Sequence, residues 1–477
     1  MASLDTPPGG ILGPSTYTRF VPPTSVQPNS DSSLREPLLE VFPALPPAQE
    51  GQLEHEQPVN HRAREEVGGT SGQAFMNTYR AIVGTGILAL PGAMKACGLG
   101  YGIALLLASG LVSLTTMQLL LRCITCLRQR ARLGEAYREW EYTDLGRQTL
   151  GSAGAGMVLV AAVVCQVGSC VAYLMFIANT VMDVSSNQVS ALEVLLSTLP
   201  LLVVMSWLSS TKYLAPTSTL GNVAFVVVCG CVFWYGICYS PPRSLDHYKL
   251  FDFSGIPVFL GVSIFVMTAH CEVISIEQGL STRARKSYPT ILNITFAVVI
   301  FTYLVFGILC YLFFGENTND IILVNIDSTS PIVIVIKGMM TISLLFQYPV
   351  TMFPALSILD EVMGLLPSAE GALLGPGEFP STTRNFMRSM ARYINHTSVV
   401  VLTVVLAYIT PDFESATGLI GAFANGVVAY TLPLIFYIQL HKEDMKKETV
   451  RLLVAITVAI TVVWMACSIG ILINMVE

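Results

Sequence analysis

Apolar residues in this chain come in long blocks, without the three-and-four spacing that marks a helix lying on a soluble core. A helix that crosses a bilayer needs about 20 such residues. Blocks of that size run over 75–97, 100–121, 154–182, 191–208, 216–239, 255–274, 290–314, 331–358, 393–410, 415–438 and 452–475. The pattern predicts an all-α membrane protein of about eleven transmembrane helices. Residues 1–71 break with it. Eleven prolines between Pro7 and Pro58 sit there among Ser, Thr, Glu and Gln, and such a segment buries too little apolar surface to offset the entropy of ordering. The chain therefore divides into a disordered N-terminal tail, 1–71, and a membrane domain, 72–477. The tail lacks the apolar core of a secretory signal, so the first helix is expected to act as an uncleaved signal and the tail to stay in the cytosol.

Composition agrees with this division. Of the 477 residues, 53% are hydrophobic and 12% charged, against about 25% charged in an average soluble domain. The net charge of -6 supplies no basic footprint for nucleic acid. Most of the 11 cysteines lie inside apolar blocks and read as small hydrophobes. Cys123 and Cys126 form a lone CxxC with no second pair for zinc. No metal or other cofactor is expected, and no HExxH, Gly-x-Ser-x-Gly or intramembrane aspartate pair points to an enzyme.

Loop charge sets the orientation. With the N-terminus inside, seventeen Lys and Arg fall in loops on that side, from Arg122 to Arg451, and only Lys95, Arg243 and Lys249 on the other, beside Glu316, Asp320 and Asp327. This is the positive-inside pattern. An odd number of helices then puts the C-terminus outside or in a lumen. The sequons at Asn293 and Asn395 fall within a helix and at a cytosolic helix start, so neither should carry sugar.

Candidate chemistry lies where the apolar helices are interrupted. In lipid, irregular backbone is tolerated only when protein buries it or it lines a cavity. The first block contains Val83-Gly84-Thr85-Gly86 and then Pro91. Two glycines permit non-helical dihedrals and the proline loosens the turn before it. An unwound segment there aims N–H groups at a cavity, and the following half-helix would suit a carboxylate. The alternative is a close-packing Gly-x-Gly contact between helices. The sixth block reads Val266-Met267-Thr268-Ala269-His270-Cys271-Glu272, with two ionisable groups at membrane depth where they are costly. His270 suits proton coupling because imidazole changes charge between pH 5 and 8; a satisfied structural histidine is the plainer reading. Glu277 is expected to pair with Arg283 or Arg285, and Lys337 to snorkel toward the outer interface. Blocks one and six are five helices apart, as in a 5+5 inverted repeat whose broken first helices meet at mid-membrane. Tyr348-Pro349 and Pro354 are expected to kink the eighth helix beside the same place.

These residues carry a resemblance. Gly84-Thr85-Gly86-Ile87-Leu88-Ala89-Leu90-Pro91 resembles the first-helix signature of the amino acid/auxin permease family. Phe265 to Glu277 is similar to that family's sixth helix, and Phe314-Gly315-Glu316 with Asp320, Ile321, Ile322 and Asn325 to its loop after helix seven. Tyr348-Pro349 with Pro354, and Gly418 through Pro433, match its eighth and tenth helices. Within the family the chain looks closest to the proton-coupled branch, through Cys165-Gln166-Val167-Gly168, Tyr173 and Lys337. It departs from that branch where Thr268 and Ala269 replace a Glu-Gly pair, which moves the proton-coupling assignment to His270 and Glu272. The resemblance implies a LeuT-like fold of the APC superfamily, with helices one and six broken. It implies a symporter of amino acids working by alternating access, driven by protons, with sodium as the open alternative. Val83, Gly84, Thr85 and Gly86 would then hold the substrate, faced by Val266, Met267, Thr268 and Ala269. The small apolar lining suits a small neutral amino acid.

The tail carries two sorting-like motifs, Tyr17-Thr18-Arg19-Phe20 and the acidic dileucine around Leu38 and Leu39. They suggest adaptor proteins as partners and a lysosomal, vacuolar or endosomal membrane, with the plasma membrane as the alternative. A transporter-shaped amino acid sensor that signals through this tail is the competing function.

Overall fold

The computed structural model describes residues 68–131, 140–207, 215–239, 248–326, 330–365 and 381–476. The sorting-like residues Tyr17, Phe20, Leu38 and Leu39 lie outside them. The described residues are almost all helical: α1 Ser71–Ile82, α2 Leu90–Cys97, α3 Leu99–Ala131, α4 Tyr142–Val184, α5 Ala191–Ser206, α6 Ala215–Tyr239, α7 Ile256–Val266, α8 His270–Gln278, α9 Thr282–Phe314, α10 Pro331–Val362, α11 Ser381–Ile409, α12 Phe413–Ile420, α13 Leu432–His441 and α14 Lys447–Val476. Eight stretches among the described residues are long and apolar enough to span a membrane, counting α7–α8 and α12–α13 as one each. Three shorter apolar helices, Gly86–Cys97, Ala191–Ser206 and Val226–Tyr239, fall on the remaining blocks.

Local chemistry fixes the helix ends. Thr70 caps α1 in a reciprocal box with Gln73, satisfying N–H groups that the first helical turn leaves without partners. Gly98 ends α2 at φ +84°, a conformation open to a residue without Cβ. The 43-residue α4 is kinked at Gly151, φ +69°. Between α12 and α13 the chain forms an eleven-residue π-helix, Gly421–Thr431, a rare geometry found most often at functional positions.

Two glycine contacts bring α7 into backbone contact with α12 and with the start of the π-helix. A Cβ on Gly261 would lie 2.1 Å from the Gly418 carbonyl oxygen, and one on Gly421 would lie 1.9 Å from that of Gly261. In lipid such close approach supplies the packing that a hydrophobic effect between helices cannot. Elsewhere α10 packs on α4 and α6, and α9 on α1 and α2.

Charged groups gather at the helix ends. At the basic end, Arg128 of α3 meets Glu277 of α8 through two hydrogen bonds of 2.6 Å. Arg285 lies 3.7 Å from the same carboxylate. Gly69, just before α1, pairs with the 279–281 turn, its N–H donating to Gly279 O at 2.9 Å. Asp360 at the end of α10 accepts from Arg392, Asn395 and His396 of α11, and the other His396 nitrogen contacts Ser206 O at 2.9 Å. At the opposite end Lys337 is fully buried and donates to Asp183 at 2.5 Å and Ile326 O at 2.7 Å.

These contacts bear on three expectations. Glu277 pairs with Arg285 as expected, but its bidentate partner is Arg128, which no local spacing indicates. Lys337 does not snorkel, because Asp183 meets it inside the bundle. The two sequon asparagines are committed to other bonds: Asn293 accepts from Gln118 at 2.8 Å and Asn395 donates to Asp360 at 2.9 Å.

Candidate functional site

The first and sixth helices are both interrupted, and at the motifs singled out. After Ile82 the backbone turns extended at Val83, φ −80°, ψ 93°, and Gly84, φ −121°, ψ −163°. It resumes as a 3-10 turn, Thr85–Ala89, leading into α2. The second break follows α7, with Met267 at φ −96°, ψ 2° and Ala269 at φ −147°, ψ 33°, before α8 starts at His270. Thr268 closes the end of α7 by donating its hydroxyl to Ile264 O at 2.7 Å.

The two breaks touch. A Cβ on Gly86 would lie 2.8 Å from Val266 Cγ1 and 3.1 Å from the Phe265 ring, so this glycine serves close packing between the interrupted segments. Gly84 is different: a Cβ there meets nothing within 4 Å, and the residue is exposed. Close packing thus accounts for Gly86, while Gly84 faces open space. Val83, Val266 and Ala269 are buried, Thr268 is half-buried, and Met267 is fully buried with its methyl near Gly110 of α3.

A residue that the sequence pattern did not single out ties the breaks together. The Tyr303 hydroxyl of α9 lies 2.8 Å from Ile82 O and 3.0 Å from Val266 O. These carbonyls end α1 and α7, where no later turn supplies an N–H. One phenolic proton serves both. Ser113 of α3 does the same for the second break, donating to Met267 O at 2.8 Å. Tyr303 and Ser113 lie in otherwise ordinary apolar helices; a polar hydroxyl in such a helix is the one signal that could have marked them.

The ionisable pair of the second break splits. His270 is fully buried; its Nε2 is 2.9 Å from Thr116 Oγ1 of α3. Its Nδ1 has no hydrogen-bond partner among the described residues. A buried ring nitrogen without a partner is rare. Glu272 is exposed and lies within electrostatic range of Cys165 and Tyr173 on α4. From α4, the Cys165 thiol also reaches Asn425 Oδ1 of the π-helix at 2.7 Å. α10, which carries Pro349 and Pro354 within one continuous helix, contributes Tyr348, which is buried and bonded to Thr403 of α11 at 2.7 Å; that contact is structural.

A helical membrane domain with paired, hydrogen-bonded breaks in its first and sixth helices matches one family model, that of the transmembrane amino acid transporter proteins, over residues 68–477. The chain belongs to this family, the amino acid/auxin permeases. It is a multi-pass membrane protein, and its relatives are named as transporters, not enzymes. The amino acid transporter ANT1 of Arabidopsis thaliana is 25% identical over 382 residues, covering 77% of this chain and 84% of the relative. The amino acid transporter AVT3A of the same plant is 25% identical over 414 residues, covering 83% and 88%. Vacuolar amino acid transporter 3 of Saccharomyces cerevisiae is 21% identical over 378 residues, covering 76% of this chain and 51% of the relative.

Proposed function

We propose that this permease is a secondary active carrier that moves a small neutral amino acid by alternating access, driven by a proton gradient, in a LeuT-like arrangement of two inverted five-helix repeats. The observation that carries this reading is the pair of touching breaks held by Tyr303. Each break leaves helix-end N–H and C=O groups without helical partners, and together they offer both charges that an amino acid's carboxylate and ammonium need. Substrate is held at Val83, Gly84, Thr85 and Gly86, opposite Val266, Met267, Thr268 and Ala269. The open space beside Gly84 suits a ligand, and the apolar residues around it favour a small uncharged side chain. His270 and Glu272 flank the second break as proton-coupling groups, His270 through its unpartnered Nδ1.

The positive-inside rule puts the basic end, with Arg128 and Arg285, in the cytosol. The vacuolar names of the yeast relatives and the tail motifs at Tyr17, Phe20, Leu38 and Leu39 favour a vacuolar or lysosomal membrane, whose acidic lumen would drive export to the cytosol.

The deciding experiment is uptake of a labelled amino acid panel into proteoliposomes holding the full chain, under an imposed pH gradient with and without sodium. Accumulation that follows the proton gradient without sodium is expected, and loss of its pH dependence in His270→Gln. Accumulation that needs sodium overturns proton drive. Thermal stabilisation by an amino acid with no flux under any gradient overturns transport itself.

A further inference from the structure

At the acidic end, a buried carboxylate lies outside the breaks. Glu414 is 7% exposed, in the first turn of α12, and its Oε1 has no hydrogen-bond partner among the described residues. Its charge is within electrostatic range of Asp320, Asp412 and Lys95. Each comes from a different piece of chain: Asp320 from the loop after α9, Asp412 from the cap of α12, and Lys95 from the last turn of α2. Lys95 gives its ammonium to Thr318 O at 2.5 Å, and Asp412 accepts from Ser415 N at 2.6 Å. Cys97 of α2 is also within range. The other helices packed on α12 are α7, α4 and α14. α7 carries no ionisable side chain, and α4 and α14 bring none into the range of Glu414.

This cluster borders the first break. Gly92 of α2 lies under the same loop, where a Cβ would be 3.0 Å from Asp320 Cα and 3.1 Å from Asn319 O. α12 packs against the 3-10 turn of the first break. Three carboxylates, one of them buried, against one ammonium leave net negative charge around Glu414, which disfavours the fully ionised state. Burial and the Asp412 charge push the Asp320 carboxyl up, against the pull of Lys95. A metal cation is a poorer neutraliser than a proton, since no three acidic, His or Cys groups among the described residues are placed to hold one.

From this geometry we infer that Glu414 takes up a proton from the acidic-end solution and that its neutralisation lets α2, the 318–321 loop and α12 close over the first break. In the ionised state repulsion with Asp320 and Asp412 holds this end apart; adding one proton to the carboxylate removes it. The inference rests on the transport reading above and adds a second protonation site to it.

The test compares uptake of labelled alanine between about pH 5 and pH 8 in proteoliposomes of the wild-type chain, Glu414→Gln and Asp320→Asn, together with gradient-free alanine counterflow. Glu414→Gln should retain counterflow within about twofold and lose the part of the pH dependence of uptake that His270 does not carry. Asp320→Asn removes a neighbouring negative charge, which weakens proton binding, so its midpoint should move about 0.5–1 unit to lower pH. A Glu414→Gln chain that keeps the wild-type pH profile overturns the inference while leaving proton-driven transport intact. A wild-type chain that takes up alanine with no response to pH overturns proton drive itself, and the inference with it. If Glu414→Gln fails to reconstitute, an unshifted midpoint in Asp320→Asn overturns the inference alone.

Discussion

At the scale of single residues, the two glycines of the first break make opposite predictions from the same motif. Val at 84 enters space that no heavy atom occupies within 4 Å. Gly84→Val should therefore keep normal abundance and thermal stability yet lose amino acid uptake by about tenfold or more, because the methyls fill the place proposed for substrate. Val at 86 meets Val266 and Phe265 at 2.8–3.1 Å, so Gly86→Val should cost stability by overpacking, about 1–3 kcal/mol, and lower abundance. Uptake normalised to protein, read beside thermal unfolding in detergent, separates the two; equal behaviour of both variants would refute the division. The sequence made the motif visible because glycines and a proline inside an apolar block are unusual. It did not separate the glycines, since which one packs and which one faces open space depends on Val266 and Phe265, far away in the chain. Tyr303 was invisible for the same reason: its value lies in reaching two carbonyls on helices that only tertiary packing brings together.

At the scale of elements, helix positions were legible because bilayer thickness imposes one length on every span, and the breaks were legible because they interrupt it. Polar anchors between helices were not. Glu277 pairs across 149 positions with Arg128, and Lys337 across 154 with Asp183, so charges near in the chain gave Arg285 but neither of these distant partners. The anchor of α10 to α11 is the most demanding of these. Asp360 is 1% exposed and accepts from three residues of α11, while His396 bridges on to the end of α5. Removing one partner of such a cluster leaves the others buried without compensation. Asp360→Ala should lower stability by about 3–5 kcal/mol. Asp360→Asn keeps the shape and the capacity to accept one bond, and should lose less. Thermal melts of the two purified variants check the order; equal melting of Asp360→Ala and wild type would mean that the cluster is dispensable.

At the scale of the whole molecule, a carrier needs a closure on each side of its site, and the two ends differ in chemistry. The acidic end gathers like charges around Glu414, whereas the basic end is held by opposite charges, Arg128 and Arg285 on Glu277, and by the backbone pairing of Gly69 with the 279–281 turn. Ion pairing of this kind ties the end of α8 to α3, so it opposes opening of the basic end and leaves the other end to the protonation state of its carboxylates. Arg128→Ala should then shift the population toward an open basic end, by about tenfold for each 1.4 kcal/mol of closing energy lost. Gly84→Cys supplies the reporter, since its side chain would project into the open space at the first break. A membrane-impermeant thiol reagent applied from the basic end should label Gly84→Cys more slowly than the Gly84→Cys/Arg128→Ala double variant, and a transported amino acid should protect both. The chain without the added cysteine gives the background. Equal labelling rates in the two variants would mean that Arg128 and Glu277 merely fasten the bundle and that opening of this end is governed elsewhere.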